Sequence, residues 1–175
     1  MTNSKTLPTE LESIDKLVFK ACGLELTNVE NERESQEYLA YNFLLDGQNV
    51  KFRKAKITPT KIGQFVTIWK RNKNGFTEPF EVSDGFEFYI ISTRQNENFG
   101  LFIFPKSVLS KKKILSDKTK QQDGKRGIRV YPTWDLTTNK QAQKTQSWQT
   151  KYFLDISPDK EIDLEKARNL LSLEK

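Results

Sequence analysis

Apolar residues along this chain repeat with two periods. In "PTELESIDKLVFKACG" the positions Leu11, Ile14, Leu17, Val18 and Cys22 recur at helical spacing and Gly23 offers a stop, which predicts a first helix. Thr9 and Glu12 stand at the spacing of a capping box. The acidic run "NERESQEYLAYNFLL" predicts a second helix or helical turn ending near Tyr38 to Tyr41, then a strand running into the Asp46-Gly47 turn. Beyond it the period shortens to two. "NVKFRKAKI", "QFVTIWKR", "FEFYIIS" and "GLFIFPK" are strand-like runs with apolar residues on both faces, so each expects cover on both sides. "SVLSKKKIL" reads as a short helix and "SDKTKQQDGK" as a mobile basic loop. "RGIRVYPTW" is another strand, "YFLDI" re-enters the core, and "PDKEIDLEKARNLL" carries the stripe Ile162, Leu164, Ala167, Leu171 of a closing helix.

Strands that need a layer on each face call for a mixed sheet flanked by helices. The expected fold class is therefore α/β (α+β), one domain over residues 1–175. Its parts are a helical N-terminal region at 8–40, a sheet-and-helix core at 41–154 and a C-terminal helix at 158–173.

Composition narrows the chemistry. With no histidine in 175 residues, imidazole bases and the triads built on them are excluded, and structural zinc with them. The single cysteine, Cys22, sits on an apolar stripe and reads as core. No apolar run is long enough to span a bilayer, and the first ten residues lack the order of a secretory signal, so a cytoplasmic protein with no membrane partner is expected.

Charge is unevenly placed. Residues 1–46 hold four Lys/Arg against nine Asp/Glu, and residues 155–175 hold four against six. The stretch between them carries 21 against 8, and Lys51 to Lys73 contains no acid at all. A field of that density attracts polyanions, of which nucleic acid is the commonest inside a cell. No small-molecule cofactor is implied. The bland counterpart is a solvated face, which is the reading for Lys111, Lys112 and Lys113.

The segment Lys125 to Phe153 concentrates donors and rings. Arg126, Arg129 and Tyr131 are expected to face outward while Ile128 and Val130 face the core. A helix capped by Asp135, Thr137 or Thr138 and reaching about Trp148 is strongly polar, with Gln141, Gln143, Lys144, Gln146 and Gln149 covering most of it. Amides and cations near a helix N-terminus suit phosphates and base edges. Thr58, Thr60 and Lys61 in "TPTKIG" can cradle a phosphate or form an ordinary turn. Trp148 can stack on a base, whereas Trp69, on a two-faced strand, reads as core.

"FRKAKITPTKIGQFVTIWKR", "FIFPKSVL", "GKRGIRVYPTWD" and "NKQAQKTQSWQTKYF" together resemble the MepB family, over roughly Tyr41 to Phe153. The resemblance implies a restriction-endonuclease-like fold and nucleic-acid binding, DNA before RNA, with cleavage not established. It carries binding roles to Arg53, Lys56, Thr58, Thr60, Lys61, Gln64, Trp69, Lys70 and Arg71. It does the same for Lys106, Lys125, Arg126, Arg129, Asn139, Lys140, Gln141 and Trp148, beside which Lys144 lies on the same helix.

A nuclease of that fold needs two carboxylates on a divalent metal and a lysine near the attacking water. Asp84, Glu87 and Lys106 are the candidates here, with Mg2+ the cofactor in that case alone. Phe104, not an acid, stands two residues before Lys106, and Asp84 in "SDG" is also a natural turn residue. Binding without cleavage is therefore expected ahead of a metal-dependent nuclease. The third reading is a basic adaptor that docks an acidic protein.

Overall fold

A computed structural model describes residues 7–172. Its centre is a six-stranded mixed sheet built from β1 (Leu26–Asn31), β2 (Tyr41–Leu45), β3 (Gln48–Lys54), β8 (Phe88–Gln95), β9 (Asn98–Pro105) and β11 (Phe153–Asp155), in the order β1-β2-β3-β8-β9-β11. All neighbours are antiparallel except β3 and β8, which run parallel at the centre. Between those two strands the chain makes β4 (Lys56–Ile57), β5 (Gln64–Thr67) and the hairpin β6 (Trp69–Arg71)–β7 (Thr77–Pro79). Strand β10 (Gly127–Val130) joins β5 and β4 in a second sheet of order β10-β5-β4.

The two-residue period does what it predicts, since alternate side chains leave opposite faces. On one face Val50, Phe52, Phe88, Ile90, Leu101 and Ile103 pack under two helical segments. These are α1 (Thr9–Ile14), continued by a π turn and a 3-10 turn to Cys22, and α4 (Leu164–Leu171). On the other face Tyr89, Ile91, Phe102, Phe104 and Phe153 pack against Val66, Ile128 and Val130 of the second sheet and Leu109 of α2 (Lys106–Lys111). Each such buried side chain contributes about 1.5–3 kcal/mol, which is why one mixed sheet covered on both sides is the stable arrangement.

Several boundaries differ from expectation. The acidic run makes the helical turn rather than the full helix: after β1 ends at Asn31 it forms the 3-10 turn Gln36–Tyr38, bracketed by the left-handed residues Ser35 and Leu39. Strand β1, formed by Leu26–Asn31 ahead of that run, is absent from the sequence expectation and exists because it pairs with β2. The N-terminal region is thus helical only through Cys22. The Thr9/Glu12 capping box does not form, as Pro8 caps α1 without a side-chain bond, and Leu17 is exposed. Gly23 does end the segment, with φ of 76°.

The basic loop is tied down: Asp117 accepts from the Thr119 amide and pairs with Gln122. α4 begins at Leu164 behind the cap Asp163, later than expected, and its expected end at residue 173 lies outside the described residues. Among the described residues no helix is long and apolar enough to cross a membrane.

Candidate functional site

Three segments meet beside the second sheet, one of them far earlier in the chain than the other two. The first is the turn between β4 and β5. Gly63 sits there at φ +84°, and a Cβ on it would fall 2.7 Å from the Tyr131 ring, so a glycine is required both for its conformation and for the close approach. The second is β10, whose Arg129 donates from Nη1 to the carbonyls of Ile62 at 3.4 Å and Gly63 at 3.2 Å, pinning that turn. The third is α3 (Lys140–Gln149), where the expected caps give way to Asn139, whose Oδ1 accepts from the Ala142 amide at 2.8 Å.

The polar helix α3 is held by its own glutamines. Gln149, buried, donates from Nε2 to the Arg129 carbonyl at 3.0 Å and accepts at Oε1 from the Tyr131 amide at 2.9 Å, so it extends the ladder of β10 with a side chain. One turn earlier, Gln146 donates to the carbonyls of Pro132 and Asp135, both at 2.9 Å, and accepts from the Thr137 hydroxyl. Gln143 donates to the Thr137 carbonyl at 3.3 Å. A row of amides spaced by three residues therefore replaces the missing apolar stripe, and those glutamines are structural rather than ligand-reading.

Between the turn, β10 and α3 opens a cleft of about 650 Å3. Lys61, Lys112, Lys125 and Arg129 line it, and among the described residues no Asp or Glu does. None of the four forms a salt bridge with a described residue. A cleft lined by one sign of charge focuses the field and draws in anions. Thr60, Asn139 and Gln141 add hydroxyl and amide donors, and Tyr131 and Trp148 add rings. The Trp148 ring stands 5.5 Å from Phe104 on the core side, with the Lys112 ammonium 5.1 Å above it. Lys112, expected on a merely solvated face, is thus a wall of the cleft. Nothing in the run of three lysines singles it out; its position comes from where α2 ends.

Other expected contacts are placed elsewhere. Arg53 is a correction: its side chain is 1% exposed and donates to Glu32 at 2.5 Å and to the Phe52 carbonyl at 2.8 Å, so it is a core residue out of reach of a partner. Lys51 joins the same Glu32 at 2.9 Å. Burial alone would raise the Glu32 carboxyl, but the Arg53 and Lys51 charges and hydrogen bonds outweigh it and hold the group below its ordinary range.

Lys56 pairs with Glu37 at 3.1 Å and Arg71 with Glu34 at 2.7 Å. Lys70 pairs with Asp84 at 2.8 Å and Glu78 at 3.7 Å. Gln64 is buried and donates to the Arg94 carbonyl, and the Thr58 hydroxyl is buried without a partner among the described residues. Arg126 is exposed and donates to the Thr77 carbonyl. Lys140 and Lys144 are exposed on α3 but do not line the cleft. Trp69 is half-buried beneath the Arg71 guanidinium instead of packing in either core cluster.

The candidate metal set does not fit a metal. Asp84 accepts at Oδ1 from Lys70 and at Oδ2 from the Glu81 amide, the pattern of a turn residue. Glu87 accepts from the Asn49 amide at 2.6 Å, and the Lys106 ammonium meets the Asp84 backbone carbonyl, not a carboxylate. Both acids are engaged by protein donors, and among the described residues no group of three or more His, Cys, Asp or Glu stands close enough to hold an ion.

A family model described as MepB-like matches residues 32–155. The crystal structure of MepB is 32% identical, with a TM-score of 0.74, and the match covers 89% of this chain and all of that one. A bacterial homing endonuclease is a distant neighbour at 14% identity and a TM-score of 0.42, over 79% of this chain and 84% of its own, a likeness that decides nothing about activity. No curated protein sequence matches. With most of its length matched and its fold shared with MepB, the chain belongs to the MepB-like family.

Proposed function

We propose that the chain binds nucleic acid, DNA before RNA, by its phosphate backbone, and does so without cleaving it. One observation carries the reading: four cations without carboxylate partners among the described residues converge on one cleft that no acid lines. Cations gathered for solubility alone have no reason to share a concavity, and their mutual repulsion opposes it, so the arrangement is what an anionic ligand would stabilise. Thr60, Asn139 and Gln141 then supply the uncharged donors that set a phosphate chain in register. The engagement of Asp84 and Glu87 by protein donors supports binding over metal-assisted hydrolysis.

The test is anisotropy of labelled single- and double-stranded DNA and RNA oligonucleotides, at low and high salt, with a plasmid incubated in parallel with Mg2+ or Mn2+. Binding at low salt that is lost at high salt, with the plasmid intact, is expected. No binding to any oligonucleotide, together with recovery of an acidic protein on the immobilised chain, would favour the adaptor reading. Nicking abolished by Asp84→Ala would favour the nuclease.

A further inference from the structure

The β6–β7 hairpin falls outside the cleft and is paired elsewhere through Lys70 and Arg71, yet its tip has features of its own. The tip sequence "RNKNGFT" from Arg71 to Thr77 contains two cations and no acid. Phe76 within it is 69% exposed, although a phenyl ring ordinarily gains by burial.

The ring is held out by a braced turn. Asn72 Oδ1 accepts from the amides of Asn74 at 2.9 Å and Phe76 at 3.0 Å. The Asn72 amide donates to the Phe76 carbonyl at 2.8 Å, and Gly75, at φ +84°, donates to the Asn72 carbonyl at 3.0 Å. Arg71 closes the brace from Nη1 to the Gly75 carbonyl at 2.7 Å.

The hairpin is also joined to the basic surface. Arg126 donates to the Thr77 carbonyl at 3.0 Å, and its neighbour Lys125 lines the cleft. The Ile68 amide in turn donates to the Arg126 carbonyl at 2.9 Å, which locks the start of the hairpin to β10. A polyanion running out of the cleft past Lys125 and Arg126 therefore arrives at Phe76, with Lys73 exposed beside it and in no salt bridge with a described residue. Phosphates have partners in those cations; an apolar ring among them has the faces of bases.

We infer that Phe76 is a base-stacking wedge, inserting against or between bases of the nucleic acid held in the cleft; this rests on the nucleic-acid reading of that cleft. Such a contact is sequence-tolerant, since every base offers a flat face, and it unstacks the base it displaces. The hairpin then acts as the second point of a two-point grip whose first point is electrostatic.

Oligonucleotides carrying 2-aminopurine at intervals test this, because 2-aminopurine brightens when it loses a stacked neighbour. Wild type should brighten the probe on binding. Phe76→Ala should lose the brightening and bind on the order of tenfold more weakly, with the salt slope unchanged, and Phe76→Trp should restore both. Salt-dependent binding with no brightening, or with brightening that survives Phe76→Ala, overturns the wedge and leaves the cleft reading intact. A Phe76→Ala variant that changes self-association in sedimentation and not probe fluorescence makes the hairpin a protein contact and overturns it too. Absence of any binding removes both.

Discussion

Two groups of cations that look alike in sequence have opposite fates. Lys51, Arg53, Lys56, Lys70 and Arg71 belong to the longest acid-free stretch of the chain, yet each is matched by an acid, and for four of them that acid comes from residues 32–37. Lys61 of that same stretch, Lys112 behind α2, and Lys125 and Arg129 at β10 share one cleft that no acid lines among the described residues. The first group shows that an acid-free run says nothing about acids folded over it. Glu32, Glu34 and Glu37, which follow β1, neutralise Lys51, Arg53, Lys56 and Arg71 of that stretch. The proposed function rests on the charges that folding leaves unmatched.

The comparison is broken most severely at Glu32. Glu32→Ala leaves the Arg53 guanidinium buried without its partner, an expected loss of about 3–5 kcal/mol in urea unfolding, with the salt dependence of nucleic-acid binding kept in whatever protein remains folded. The same residue makes stability fall in acid. Its folded carboxyl lies below the unfolded value, so its contribution is complete above the ordinary carboxylate range and is lost as pH falls through the depressed value. Glu32→Gln should flatten that part of the stability–pH curve.

Next in size is the clamp that positions the cleft. Gln149→Leu leaves the Arg129 carbonyl and the Tyr131 amide without their partner and should cost about 1–3 kcal/mol, with weaker binding because α3 and β10 no longer hold a fixed spacing. The sharpest contrast has the smallest effect on stability. Lys61→Ala with Lys125→Ala should leave the melting midpoint in place and lower the salt slope by about 2. Arg71→Ala, which removes a cation already paired on the surface, should change neither.

How far the sequence could carry this reading depends on the range of the interactions involved. The alternation in Phe88–Ile91 and Leu101–Phe104 is local, and it assigns both faces of the sheet correctly. Strand β1 escapes the local pattern because it is made by pairing with β2, a contact that no local preference encodes. At the site, Thr60, Lys61, Lys125, Arg129, Asn139, Gln141 and Trp148 were named from the sequence and do line one cleft. Arg53 could not be told from them, since a buried arginine and a solvent-facing one look the same until Glu32 is placed. Nor could the glutamines of α3 be sorted: spacing by three separates Gln143, Gln146 and Gln149, which bond the backbone, from Gln141, which faces the cleft, only once the helix start at Lys140 is known.

The most direct measurement is the slope of log affinity against log salt for an oligonucleotide, in wild type and in the two variant sets. Four cleft cations predict a wild-type slope of about −3 to −4 or steeper, from which the Lys61/Lys125 pair of substitutions removes about 2 and Arg71→Ala nothing. A slope near zero, or one reduced as much by Arg71→Ala as by a cleft substitution, would contradict the account.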